Sequence, residues 1–322
     1  MNIDSQLYGV DLFGEPIRVQ KSGPLAERFE FPPFSVLNAR EGEWQERKRA
    51  WIALGIRSEL GRGDQAAIGG SPMPLDRLAN AEPGGSKMPK REESAVSGTS
   101  IFDPVLCELA YRWFCPEGGQ VVDPFAGGSV RGLLAALLGR RYWGCDLSRR
   151  QLEANREQAK IAPEGSALEW VEGDAIVALE EAPAADFIFA CPPYGDLERY
   201  SDDPRDLSTM DYHAFLAAYK RIILRCAKVL KPDRFACFVV GDFRDKRTGN
   251  YRGFVADTIN AFREVGLGLY NDAVLITAVG SLPVRVSGTF EKHRKLGKTH
   301  QNVLVFAKGD PRKAFECHSP SA

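Results

Sequence analysis

The chain has no C-x-x-C pair, and its seven cysteines (107, 115, 145, 191, 226, 237 and 317) and four histidines do not fall at the spacing of a structural zinc site. Its glycine loop at residues 123–129 contains neither G-x-G-x-x-G nor G-K-[ST], the motifs that cradle dinucleotide pyrophosphates and nucleoside triphosphates. No apolar run approaches the roughly 18 residues that cross a bilayer, and the opening M-N-I-D-S-Q is not a basic, apolar leader. With 42 Lys and Arg against 43 Asp and Glu, there is no global basic excess, so contact with nucleic acid would rest on local patches. An odd number of scattered thiols suits a reduced intracellular protein, and a cytoplasmic location without membrane contact is expected.

What the 322 residues do contain is an α/β pattern, with 44% apolar content. Residues 61–98 are rich in Gly, Pro, Ser and isolated charges, which reads as a flexible linker. It parts an N-terminal accessory region, 1–60, from a block at 99–310 that carries the regular pattern, with a tail at 311–322. The block opens at Asp103-Pro104, a cap followed by proline at the first helical position. Strands are expected at 120–123, 141–146, 168–172, 186–190, 235–240, 273–278 and 302–307, with helices alternating between them. Repeated βα units of this kind predict a doubly wound, mostly parallel, seven-stranded sheet that binds ligands at the carboxyl ends of its strands.

Two loops stand out at those ends. In D-P-F-A-G-G-S, Asp123 closes a strand, and Gly127 and Gly128 let the backbone turn tightly and approach a ligand before the helix at Ser129. About twenty residues on, where nucleotide-binding sheets place a carboxylate for ribose hydroxyls, the next strand ends in Asp146. The third ends in Glu172-Gly173-Asp174, suited to the amino group of an adenine ring. Three acidic strand ends favour a cationic sulfonium nucleoside over a pyrophosphate, which they would repel. The second loop, C-P-P-Y at Cys191 to Tyr194, follows the apolar strand F-I-F-A. Phe31-Pro32-Pro33-Phe34 mimics it without a preceding strand and reads as a structural turn.

V-V-D-P-F-A-G-G-S, Y-W-G-C-D-L-S, V-E-G-D and F-A-C-P-P-Y, in that order, resemble the motifs of S-adenosylmethionine-dependent DNA amino-methyltransferases, the N6-adenine and N4-cytosine methylases of phage or prophage type. The resemblance implies a Rossmann-like class I methyltransferase fold and S-adenosylmethionine as cofactor. It also implies that Asp123, Phe125, Ala126, Gly127 and Gly128 hold the methionine part of the cofactor, Asp146 the ribose and Asp174 the adenine. S-I-F-D-P resembles the preceding cofactor segment and adds Phe102 and Asp103. In that family a polar side chain and a proline carbonyl accept the two hydrogens of an exocyclic amine, and an aromatic residue stacks on the flipped base. Carried over, Cys191 stands in the acceptor position, Pro192 and Pro193 give rigidity, and Tyr194 stacks. Thr299-His300-Gln301-Asn302 also resembles a family tract, with its role open.

The implied partner is DNA, double-stranded with one base flipped, methylated at adenine N6 or cytosine N4. Alternatives are an RNA base, a glutamine amide, a cytosine carbon attacked by Cys191, or a domain that binds cofactor and nucleic acid without turnover. Phosphate contacts are expected from the segment holding Arg285, Lys292, Arg294, Lys295 and Lys298, read as a mobile basic loop, and from the locally basic stretch 220–252. Trp44, Arg47, Lys48, Arg49, Trp51, Arg57 and Arg62 suit either nucleic-acid contacts or an amphipathic helix packed on the catalytic domain.

Overall fold

Strands β2 (Gln120–Asp123) and β5 (Ala185–Ala190) read Q-V-V-D and A-D-F-I-F-A and are buried at every residue, as central parallel strands covered on both faces must be. In the computed structural model, which describes residues 3–10, 17, 23–57, 102–195, 200–280 and 282–316, they lie side by side in one sheet. Its other strands are β1 (Val36–Asn38), β3 (Arg141–Asp146), β4 (Leu168–Glu172), β6 (Leu230–Val240), β7 (Gly268–Ile276) and β8 (His300–Lys308). The spatial order is β1-β7-β8-β6-β5-β2-β3-β4. β8 runs antiparallel to both neighbours, and the remaining pairs are parallel. The chain winds outward from β2 to β4 and then restarts at β5 on the other side. The switch point where ligand crevices open therefore falls between the carboxyl ends of β2 and β5.

The helices are α1 (Ile3–Tyr8), α2 (Pro24–Phe29), α3 (Gly42–Ala53), α4 (Pro104–Phe114), α5 (Val130–Leu137), α6 (Arg149–Gln158), α7 (Ala175–Ala178), α8 (Tyr212–Val229), α9 (Phe254–Glu264), α10 (Leu282–His293) and α11 (Pro311–Glu316). None of the described helices is long and apolar enough to cross a membrane. One face of the sheet packs Val121, Phe187 and Phe189 under α4 and α5, and the other packs Val122, Ile188 and Phe238 under α8 and α9. The expected mostly parallel, doubly wound architecture is thus present, with one more strand than the sequence pattern suggested.

That extra strand comes from the N-terminal region, which does not stand apart. β1 adds to the free side of β7 in parallel, Val36 opposite Val274. Trp44, Trp51, Phe31 and Leu37 enter the same core as Val105, Leu109 and Tyr111. The linker at 61–98 lies outside the described residues. In the tail, Pro311–Glu316 forms α11 and buries Ala314. Two expectations change in detail. β6 begins at Leu230 rather than 235, because it pairs with Ala185 before a bulge. The basic segment expected to be a mobile loop is instead helix α10 as far as His293. Pro283 is tolerated in its first turn, and Gly288 costs a helix interior only about 1 kcal/mol.

Candidate active site

The glycine loop after β2 hangs from a buried carboxylate. Asp123 is fully buried, and it accepts hydrogen bonds from the Phe125 amide (3.0 Å), Arg131 Nε (2.6 Å) and the Tyr142 hydroxyl (2.9 Å). Arg131, 5% exposed, also donates to the carbonyls of Phe125 and Ala126 and lies 4.7 Å from the Phe102 ring centre. Desolvation opposes its charge, but the Asp123 carboxylate outweighs it and raises the guanidinium pKa. Asp123, expected to touch cofactor, also anchors and shapes the loop. Arg131 escaped the sequence reading, although a lone cation in the apolar run V-R-G-L-L-A-A-L was a usable signal.

Gly127 takes φ of +49°, a conformation open to glycine, and its amide donates to Asp146 Oδ2 at 2.9 Å. A side-chain carbon there would meet Phe125 O at 3.8 Å, so the loop presents open backbone. Asp146 Oδ1 accepts from the Ser148 amide at 2.8 Å. Burial raises the Asp146 pKa, with the Ser148 and Gly127 amides opposing the shift. Each oxygen of an ionised carboxylate accepts two hydrogen bonds, which leaves capacity for hydroxyl donors. Asp174 caps α7 through the Ile176 amide (2.8 Å) and is half-buried beyond the tip of β4.

The C-P-P-Y loop leaves the strand next door. Pairing of Val121 with Phe187 and Val122 with Ile188 puts Pro124 and Cys191 at adjacent tips of the same edge. Pro192 is buried, whereas Cys191, Pro193 and Tyr194 are half-buried. An aromatic chain joins the two loops: Phe125 to Tyr219 (6.5 Å), Tyr219 to Phe254 (5.2 Å), and Phe254 to Tyr194 (6.4 Å). Arg131 is close enough to Cys191 for the two to interact electrostatically. The Tyr194 hydroxyl accepts from Gln301 Nε2 at 2.8 Å and lies 3.6 Å from Cys191 Sγ. Gln301 belongs to the T-H-Q-N tract, so the structure gives that tract a contact that its sequence did not disclose.

Phe102 sits edge-on to Phe189 (5.5 Å) below this edge. Asp103 caps α4 through the Val105 and Leu106 amides and accepts from Trp44 Nε1 (3.2 Å) and Lys48 Nζ (3.0 Å). Beside it Arg47 forms a bidentate pair with Glu108 (2.6 and 3.0 Å) and reaches Asp4, and Trp51 Nε1 donates to Glu108 at 2.6 Å. Trp44, Arg47 and Trp51 are thus committed to the protein interior, the second of the two readings open for them. Arg49 and Arg57 are exposed, and Arg62 lies outside the described residues.

The basic residues separate into two groups. Lys220, Arg225, Lys231 and Arg234 pair with Glu264, Glu180 and Asp186. Others lie on the segments 241–253 and 277–299 that follow β6 and β7. Because β6 and β7 both oppose β8, the connection 277–299 leaves the same carboxyl edge as the two loops. Lys298 Nζ lies 5.9 Å from the Tyr251 ring centre, and Arg244 stacks 3.9 Å from it. Lys295 Nζ is within 2.7 Å of where a Gly249 side-chain carbon would stand, joining the 277–299 and 241–253 segments. Lys292 and Arg294 are exposed, and Arg285 lies on α10 with its side chain outside the described set. A surface hollow of about 480 Å³ between Ala159 and Leu168 sits at the amino end of β4, the opposite edge, and contains none of these residues.

No family model matches the sequence, and no curated protein matches it. Among solved structures, TrmN from Thermus thermophilus is 20% identical over 64% of this chain and 49% of its own, with a TM-score of 0.43. This chain therefore spans about half the length of TrmN. The Thermus thermophilus protein TTHA0409, provisionally described as a DNA modification methylase, is 21% identical over 43% of this chain and 51% of its own, TM-score 0.33. Magnesium protoporphyrin IX methyltransferase from Synechocystis, solved with bound S-adenosylmethionine, is 11% identical over 64% and 79%, TM-score 0.40. The strand order, with β8 antiparallel in an otherwise parallel sheet, is that of a doubly wound α/β fold, and the chemistry of the site rests on its own geometry.

Proposed function

We propose that this chain is an S-adenosylmethionine-dependent methyltransferase acting on an exocyclic amino group of a flipped DNA base, adenine N6 or cytosine N4. The observation that carries the reading is the adjacency of the glycine loop and C-P-P-Y at the tips of β2 and β5, with Asp146 next along the same edge. Open backbone at Gly127 and acidic strand ends suit a nucleoside bearing a positively charged sulfur, so the residues fit the cofactor. When bound, S-adenosylmethionine supplies a methyl group on that sulfur.

The chain's own part is to orient a weak nucleophile. An exocyclic amine has its lone pair delocalised into the ring, and acceptors for its hydrogens localise it. The Pro192 carbonyl, held by two prolines, and the Cys191 sulfur are the acceptors at hand. Tyr194 offers a ring for stacking, and burial of Pro192 beside Cys191 restricts water. Exposed Lys292 and Arg294, with Lys295 and Lys298, supply cations for the sugar-phosphate backbone at the rim.

The test is to incubate the purified protein with methyl-labelled S-adenosylmethionine and duplex DNA, tRNA or protein extract, then identify the labelled nucleoside or residue. N6-methyladenine or N4-methylcytosine is the expected product. Label in RNA or in glutamine would move the substrate to that class, and cofactor binding without transfer to any of them would overturn the enzymatic reading.

A further inference from the structure

The hydroxyl of Tyr194 sits where three elements meet: the loop after β5, the end of β6 through Val239 O at 3.5 Å, and the start of β8 through Gln301 Nε2 at 2.8 Å. An amide nitrogen only donates, so the phenolic oxygen accepts from Gln301. The donor is a half-buried residue held on both sides by strand pairing, since Gln301 lies opposite Leu275 of β7 and its neighbour Asn302 opposite Val240 of β6. The ring is confined as well. A side-chain carbon on Gly241 would touch it at 3.6 Å, and Phe254 meets it edge-on at 6.4 Å and 61°. The far side of the hydroxyl approaches Cys191 Sγ at 3.6 Å.

We infer that Gln301 is a positioning residue for the C-P-P-Y loop: it pins the Tyr194 hydroxyl, and through it fixes both the stacking ring and the direction in which the Cys191 sulfur presents its lone pairs. The inference rests on the proposed methyl transfer for its catalytic meaning, but its physical content does not depend on it. The phenol has one hydrogen, within reach of Val239 O at 3.5 Å and Cys191 Sγ at 3.6 Å; donation by Gln301 polarises it, and an ionised sulfur competes for it better than a carbonyl does. A thiol is a weak acceptor by itself, so an acceptor role for Cys191 calls for a fixed orientation. Without Gln301, the phenol can turn toward water and the sulfur loses its reference.

The other described cysteines are buried and Cys191 is not, so its alkylation can be read in a Cys317→Ser background. Gln301→Leu, Tyr194→Phe and the double variant are compared with the parent for iodoacetamide reaction at Cys191 and for methyl-transfer kcat, with KM for S-adenosylmethionine measured alongside. Each single variant is expected to slow alkylation about threefold, because the thiolate loses its phenolic donor. Each is also expected to lower kcat about tenfold with cofactor KM unchanged, and the double variant to be no worse than either single. Additive losses in the double variant, or unchanged alkylation in Gln301→Leu, would overturn the inference. Should Gln301→Leu fold poorly, Gln301→Asn withdraws the donor by one methylene and reads the same way. If the parent methylates no substrate, the proposed function fails, while the alkylation coupling still decides the role of Gln301.

Discussion

Asp146 and Tyr194 occupy neighbouring parts of one edge but should fail differently. On the proposed function, replacing Asp146 by Ala removes an acceptor for cofactor hydroxyls, and a charge-assisted hydrogen bond is worth about 1.5–3 kcal/mol. The expected result is at least about tenfold weaker S-adenosylmethionine binding by calorimetry. Tyr194→Ala should leave that affinity within about twofold and abolish transfer. Equal loss of cofactor affinity in both variants would refute this division of roles. Acid adds a second reading. Because burial raises the Asp146 pKa, cofactor binding should weaken on acidification at a pH above the ordinary 3.8 of a carboxyl, and this step should vanish in Asp146→Asn. Gly195 is a third residue-scale case. Its φ is +53°, and a side-chain carbon would stand 2.5 Å from the Phe243 ring. Gly195→Ala should therefore lower stability by about 1–3 kcal/mol, read as a fall in Tm, with the Tyr194 ring displaced.

At the level of elements, α3 is fastened to α4 by a buried charge. Glu108 is fully buried and takes donors from Arg47, Trp51 and Arg112. Burial opposes its ionisation, but the hydrogen bonds and charge of Arg47, then Arg112 and Trp51, outweigh it, so its pKa lies below the ordinary 4.5. The sign follows from linkage: the folded chain binds fewer protons here than the unfolded one. The contribution is present above about pH 4.5 and is lost as pH falls through the folded-state value. Arg47→Ala should cost about 3–5 kcal/mol, since it removes the bidentate partner of a buried carboxylate and leaves it Arg112 and Trp51, whereas Arg47→Met with Glu108→Leu should recover most of that in a denaturant titration.

These elements also show what the sequence could and could not disclose. The central strands were legible because a strand covered on both faces must be an unbroken apolar run, and the two loops because glycine and proline have few substitutes there. The role of α3 was not. Trp44, Arg47, Lys48 and Trp51 look the same whether they face phosphates or a carboxylate, and Glu108 lies 61 positions from Arg47. Gln301 is 107 positions from Tyr194, and only sheet pairing brings them together. The helix α10 was obscured by its glycine and proline, which weaken the helical signal without preventing the helix.

For the whole molecule, a chain of net charge -1 can engage a polyanion only through an uneven distribution of its cations. The salt bridges of Lys220, Arg225, Lys231 and Arg234 hold one group of cations on carboxylates, which leaves the rim formed by Arg244, Lys292, Arg294, Lys295 and Lys298 as the place where phosphate would gain most. If this rim follows a backbone, Lys292→Ala with Lys295→Ala should weaken binding of unrelated DNA sequences alike. It should also lower the slope of log K against log salt by about 2, since each phosphate contact contributes about 0.9. The two lysines touch neither the glycine loop nor C-P-P-Y in the contacts described, so kcat at saturating DNA should hold while KM for DNA rises. A control pair on the other group, Lys220→Ala with Lys231→Ala, should leave the salt slope as it was. Fluorescence anisotropy across a salt series measures both pairs, and an unchanged slope in the rim variant would place the backbone path elsewhere on the molecule.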